Sequence, residues 1–264
     1  MNKILNFLKN YRQFICSFIM LLFAFVSVIS GIFAWFTVNQ STKSDNVTVD
    51  TNDENVHFRN LIEITRYYNS SIVSDTWYHC EDGDTNYYEY SLSTGYVYDD
   101  DSNLIPMTIS SILPNEYIDI TLWYYPDDEC KNNTYNLCLV DLDDSNGQFE
   151  LTDSQTSTSY SHSALGVFRV GEVDTDTYLV DDSNWKWLCT YNGNYLDDTT
   201  YSSVSFKSGS FSTESTTTID NVSYYSTTFR IELNLTQYYD VLTKATTNAL
   251  SELYVKIGGI RLIA

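Results

Sequence analysis

The chain has 264 residues, with 14 basic residues against 35 acidic ones and a formal charge of −21 at neutral pH. That balance argues against nucleic acid as a partner, because phosphate backbones are held by clustered Lys and Arg. It argues equally against docking on anionic lipid, and suits solubility, self-repulsion or the collection of cations.

The first 13 residues form a basic cytoplasmic segment carrying Lys3, Lys9 and Arg12, and a neutral, mostly apolar run follows at 14–36. As a helix that run would be roughly 34 Å long at about 1.5 Å per residue, enough for a hydrocarbon core of about 30 Å. It is apolar on every side, unlike an amphipathic core helix, and the positive-inside rule keeps the preceding basic residues in the cytoplasm. The membrane is therefore the partner of this helix, and everything after Thr37 lies outside. Its length favours a retained anchor, since a cleaved signal has an apolar region of only about 7–15 residues. Ser30, Gly31 and Ala34 nevertheless offer small residues for cleavage. A polar linker, 37–45, leads into an external domain, 46–264, and the part outside holds 11 basic against 35 acidic residues, a balance of −24. No sorting sequence follows the last strand, so covalent wall anchoring through a C-terminal signal is not expected.

The run Gly31-Ile32-Phe33-Ala34-Trp35-Phe36-Thr37, followed by Asn46-Val47-Thr48-Val49, resembles the SipW-dependent export signal of the TasA/camelysin family of bacterial surface and biofilm-matrix proteins. Gly31, Ala34, Phe36, Thr37 and Asn46 match the pattern. Ile32 replaces its usual Thr, Val38 its usual Asp, and Asp50-Thr51 the Gly-Thr pair that commonly opens the first strand. The resemblance implies secretion, a jelly-roll β-sandwich, assembly into fibres in some members, and a signal or cleavage region around Gly31, Ala34 and Phe36. It brings no zinc motif to support the proteolysis attributed to camelysin-like members.

Of five cysteines, Cys16 lies in the apolar run and Cys80, Cys130, Cys138 and Cys189 lie outside. An even set in an oxidising compartment predicts two disulfides among three connectivities. The short separation of Cys130 and Cys138 favours their pairing, which would leave Cys80 with Cys189; free buried thiols are the alternative. His57, His79 and His162 form no zinc-ligand pattern.

Beyond residue 46 the pattern is strand-like. In Tyr117–Tyr125, Ile118, Ile120 and Leu122 share one face while Asp119 and Thr121 share the other. Phe229, Ile231, Leu233 and Leu235 alternate in the same way against Arg230, Glu232 and Asn234. Further strands are predicted over Leu61–Tyr68, Tyr135–Leu142, Leu165–Val170 and Trp185–Tyr191, which are rich in β-branched or aromatic residues. Asn146-Gly147 and Asn192-Gly193 suit tight hairpins, because both residue types tolerate positive φ. Leu235, Tyr239, Leu242, Ala245 or Thr246, Ala249 and Leu253 recur at helical spacing and predict a short helix, although its threonines lower the propensity. Apolar parity then switches between Ile257 and Ile260 across Gly258-Gly259, the mark of a bulge or bend.

Acidic clusters recur in the loops, and Asp141, Asp143 and Asp144 are the candidates for a calcium site. Gly147 falls one residue late for an EF-hand, so solvated acidic loops are the simpler reading, and no other cofactor is expected. Carboxylate pairs for glycoside hydrolysis carry no information amid so many acids. Trp185 and Trp187 project from one strand face and form either a sugar platform or a core layer, and the 23 tyrosines supply amphipathic surface. With many phenylalanines spent in the first 36 residues, tyrosine and tryptophan are expected to fill the interior. No metalloprotease helix, nucleophile elbow, phosphate loop or nucleotide fingerprint occurs, so no catalytic residue is assigned. Sequons at Asn39, Asn46, Asn69, Asn132, Asn221 and Asn234 are expected by chance in this composition.

The sequence thus predicts an all-β, antiparallel sandwich behind one N-terminal transmembrane or signal helix, at the bacterial surface or secreted. A non-enzymatic structural protein that self-associates through strand edges, or joins other surface proteins, is the first expectation. An adhesin or carbohydrate-binding module that takes glycans on Tyr and Trp surfaces is the alternative.

Overall fold

The computed structural model of the chain describes residues 20, 48–51, 55–81, 86–107, 112, 114–142, 148–152, 159–191, 198–200, 203–236 and 257–263. The chain divides into two compact units, Met1–Thr42 and Lys43–Ala264. Among the described residues no helix is long and apolar enough to cross a membrane. The apolar segment, Met20 apart, lies outside them with Gly31, Ala34 and Phe36, and so does the predicted helix beyond Thr236.

Among its described residues the unit Lys43–Ala264 is all-β. Its first strands are β1 (Thr48–Thr51), β2 (Val56–Phe58), β3 (Leu61–Tyr68), β4 (Ser71–His79), β5 (Tyr88–Ser91) and β6 (Gly95–Tyr96). The long strands β7 (Glu116–Pro126) and β8 (Thr134–Leu142) follow, then β9 (Gln148–Thr152) and β10 (Ser159–Ser163). A 3-10 turn at Ala164–Val167 leads to β11 (Phe168–Glu172), β12 (Lys186–Trp187), β13 (Cys189–Tyr191) and β14 (Asp198–Thr200). The last are β15 (Ser203–Ser210), β16 (Thr217–Ile219), β17 (Val222–Leu233) and β18 (Ile257–Ile263).

A ten-stranded sheet runs β12-β11-β17-β7-β3-β4-β5-β6, with β16 on β17 and β2 on β7. A four-stranded sheet runs β1-β18-β8-β15, while β9 with β10 and β13 with β14 form two small ribbons. The ladders are antiparallel except that β1 lies parallel to β18. From β7 onward the chain alternates between the two larger sheets, through β8, β11, β15, β17 and β18.

Alternation dictates which side chains are buried. Ile118, Ile120, Leu122 and Tyr124 of β7 are buried with Phe229, Ile231 and Leu233 of β17, while Tyr117, Thr121, Trp123 and Tyr125 sit half-buried on the opposite face. One core cluster joins these to Tyr135, Leu137 and Leu139 of β8 and to Ile260 and Leu262 of β18. Phe206 of β15 stacks on Phe229 of β17 at 4.2 Å, so the two sheets share this core. Burying Phe229 contributes about 1.5–3 kcal/mol. Tyrosine fills part of the interior as expected, with Tyr87, Tyr124, Tyr135 and Tyr225 buried, but among the described residues no tryptophan is in the buried core.

Several sequence expectations need correction. Both edges of β8 are taken, by β15 and β18, and β9 pairs with β10, so no hairpin joins β8 to β9 across Asn146-Gly147. β13 does return on β14, but Tyr191 pairs with Asp198, which makes a wider connection than a two-residue turn at Asn192-Gly193. β18 keeps one register along β8 from Ile257 to Ile263, so Gly258-Gly259 holds no bulge. The register slips by one elsewhere, between Ser205 and Lys207 of β15 against β8 and between Arg66 and Tyr67 of β3 against β4. The segments 165–170 and 185–191 each break in two, into a 3-10 turn before β11 and into β12 before β13. Tight hairpins do occur, at Asn69-Ser70 between β3 and β4 and at Asp220-Asn221 between β16 and β17, each pair with positive φ.

The predicted disulfides are not seen among the described residues, where Cys80, Cys130, Cys138 and Cys189 are all buried. Cys130 belongs to the shared core, whereas Cys138 alternates with Leu137 and Leu139 and points to the other face of β8. Cys80 follows β4 and Cys189 follows β12, with β3, β7, β17 and β11 between those strands. At about 4.8 Å per strand that separation is roughly 24 Å, far beyond the span of about 4.4–6.8 Å that a disulfide bridges between Cα atoms.

Candidate functional site

The outer face of the ten-stranded sheet holds two distinct constellations. At one end, Asp119 of β7 accepts two hydrogen bonds from Arg230 of β17, at 2.7 and 2.8 Å. The same guanidinium lies 3.8 Å over the ring of Tyr117, which stacks on Tyr67 of β3 at 4.7 Å. Next to them Arg169 of β11 bonds Glu232 and lies 4.0 Å over Trp185. The connection from Val173 to Trp185 folds onto this end. It can do so because Gly171 has no side chain: a Cβ there would collide with Val180 and come within 3.2 Å of Trp185. Trp185 is thus pinned by Arg169, and Trp187 pairs with Arg169 in the edge strand β12, so the two sequence candidates stand half-buried in a structural network.

At the other end the rings are differently arranged. Trp77 of β4 and Trp123 of β7 lie near parallel, 13° apart with centroids at 5.8 Å, across β3. Arg59 lies 5.6 Å over Trp123, and Tyr224 of β17 meets Tyr125 of β7 edge-on at 5.4 Å. On the far side Tyr90 of β5 is the cross-strand partner of Trp77 and packs with His79 and Tyr96, whose hydroxyl lies 2.7 Å from His79 Nδ1. All these rings are half-buried. Beside them burial, with the neighbouring Asp75 carboxylate, raises the pKa of Glu63 above the usual carboxylate value. Sequence reasoning passed over this row, although the alternation in β7 already placed Trp123 on the polar face with Thr121 and Asp119.

A polar chain crosses the interior. The bulge in β15 turns Lys207 inward beside Phe206, and its ammonium meets Glu172 of β11 at 2.9 Å and Glu214 at 3.3 Å. Glu214 accepts from the Tyr135 hydroxyl at 2.5 Å, and Tyr135 in turn accepts from Tyr124 at 2.9 Å. Tyr124 also exchanges a hydrogen bond with Thr227. Burial, ahead of Tyr124 and Glu214, drives the Tyr135 phenol far above its ordinary pKa, which keeps it a neutral donor. Burial works to lower the Lys207 pKa, but Tyr124 and the two glutamates outweigh it and the net shift is upward, so the amine is held as a cation. An amine held protonated is no nucleophile, which suits a bracing role.

A depression of about 400 Å³ opens where the β3–β4 turn meets the ends of β7 and β17. Its lining is polar, including Asn69, Asn115, Arg169 and Asn234, and its arginine is engaged by Glu232. Among the described residues no group of three His, Cys, Asp or Glu side chains is placed to hold a metal. Asp141 is the next-to-last residue of β8, and Asp143 and Asp144 lie outside the described residues. Elsewhere the acidic loops serve as turns: Asp99, Asp174 and Asp181 each accept from backbone amides two to four residues on. Hydrogen bonding lowers all three carboxyl pKa values, at Asp181 through the Ser183 hydroxyl first and its amide second.

No family model, no curated protein and no solved structure matches this chain.

Proposed function

We propose that this chain is a non-enzymatic structural protein of the bacterial surface or extracellular matrix, exported by its N-terminal segment and assembling by exchange of its first strand. The observation that carries the reading is β1. It lies at the edge of the four-stranded sheet, has among the described residues one ladder, the parallel pairing to β18, and buries Val49 in the shared core. A short first strand that follows a polar linker and completes a neighbouring strand can leave its own domain and complete that of another subunit, because the ladder and the Val49 contact are the same in either case.

The domain is, in this reading, a jelly-roll-like β-sandwich. Counted through β1, β7, β8, β11, β12, β15, β17 and β18, the four-stranded sheet has the order 1-8-3-6 and the facing strands have the order 2-7-4-5, as two nested Greek keys require. β3 to β6 extend the second sheet, and the parallel β1–β18 pair is the departure from an all-antiparallel jelly roll. The partial TasA/camelysin-like export signal supports the same placement.

Protein purified from residue 38 onward and imaged by electron microscopy across pH and calcium concentration is expected to form filaments. Replacing Val49 with Asp should abolish them. Protein that stays monomeric under every condition would remove the assembly reading.

A further inference from the structure

The aromatic row on the outer face crosses β6, β5, β4, β3, β7 and β17, with Tyr96, Tyr90, Trp77, Trp123 and Tyr224 along it. At about 4.8 Å per strand its length is roughly 24 Å. We propose that this row binds an extended, neutral polysaccharide, whose pyranose faces lie on Trp77 and Trp123. The inference goes beyond the structural role and is independent of strand exchange.

The chemistry of the row selects that occupant. One face of a pyranose presents C–H groups that pack on an indole, while the ring edge presents hydroxyls. Trp77 and Trp123 stack on each other from the strands that flank β3 and are only partly buried, so the ring surface they leave uncovered is pre-ordered and has little entropy to lose. Glu63 and Asp75 stand beside Trp77, and His57 stands beside Tyr125, as hydrogen-bonding groups for the hydroxyls. Charge excludes a polyanion: Arg59 already lies over Trp123 and Tyr224, 3.9 Å from Asp220, and carboxylates border the row. A protein partner fits less well, because the exposed aliphatic residues Ile72, Val73, Leu92 and Leu179 are not part of the row.

The test is affinity electrophoresis of the full chain in nonionic detergent, in native gels cast with hydroxyethylcellulose, galactomannan or carboxymethylcellulose. Retardation is expected in at least one neutral gel and not in the anionic one. Trp77→Ala and Trp123→Ala should each raise Kd at least tenfold, Trp123→Phe should keep part of the binding, and Tyr178→Ala, at an exposed site away from the row, should bind as the parent does. Equal thermal midpoints for parent and variants separate lost contact from lost fold. The proposal is overturned by no retardation in either neutral gel, by equal retardation in carboxymethylcellulose, or by full binding in both alanine variants. It is equally overturned if Trp123→Ala abolishes self-association of a protein that no neutral gel retards, since a second copy would then occupy the row.

Discussion

The Lys207 ammonium lies 2.9 Å from Glu172 Oε1 and so ties the four-stranded sheet to the ten-stranded one through the interior. The Lys207 side chain is 9% exposed, against 35% for Glu172 and 25% for Glu214. Removing the cation leaves two carboxylates facing each other, whereas removing all the charges does not. Lys207→Met is expected to lower unfolding stability by about 2 kcal/mol, less than the roughly 3–5 kcal/mol of a fully buried pair because water reaches both glutamates. Urea denaturation measures the loss, and Lys207→Met combined with Glu172→Leu should recover part of it. The folded Lys207 pKa is raised, so its contribution is complete below the ordinary value of 10.5 and fades as pH rises through the folded value. The difference between parent and variant should therefore close in alkali.

Lys207 also shows where sequence reading stopped. Between Ser205 and Ser208 a lysine reads as solvent-facing, and only the one-residue slip against β8 turns it inward with Phe206. Strands such as β7 were legible because a half-buried strand must alternate, and Ile118, Ile120 and Leu122 leave no other register. The Trp77–Trp123 pair was not legible, since it depends on β4 and β7 flanking β3, a non-local arrangement. Asn69-Ser70 and Asp220-Asn221 turn by the same positive-φ chemistry credited to the Asn-Gly pairs, without a glycine to signal it.

Gly171→Ala tests the fit of the Val173–Trp185 connection on the outer face. The added Cβ would collide with Val180 and press on Trp185, and the carbonyl of Asn184 lies within 3.5 Å, so side-chain rotation alone gives little relief. The expected cost is about 1–3 kcal/mol of overpacking. Trp185 emission should shift to the red as its ring leaves Arg169, and an unchanged spectrum with unchanged stability would show that the connection does not rest on this glycine.

Glu63→Gln gives the pH test. Burial and then Asp75 raise the folded pKa of Glu63 above 4.5, so the folded state disfavours its ionised form. Stability associated with Glu63 is therefore complete below pH 4.5 and is lost as pH rises through the folded value. Parent and variant should unfold alike in acid, with the variant more stable near neutrality by about 0.5 kcal/mol, since the site is half open to solvent. A variant less stable at neutral pH would show that the carboxylate is held by attraction instead.

The four thiols of the unit Lys43–Ala264 give a separate check on the fold. Cys130 and Cys138 face opposite sides of β8, and Cys80 and Cys189 stand at strands divided by four others, so neither pair can close without rebuilding a sheet. All four are buried, and burial raises the Cys138 pKa, which lowers its thiolate fraction further. Native protein is expected to react slowly with iodoacetamide. Protein denatured without reductant should take up one adduct at each of Cys80, Cys130, Cys138 and Cys189, read by peptide mass spectrometry. A pair that becomes reactive only after reduction would mean that the strand order brings those two cysteines together, and would overturn the sheet assignment at that point.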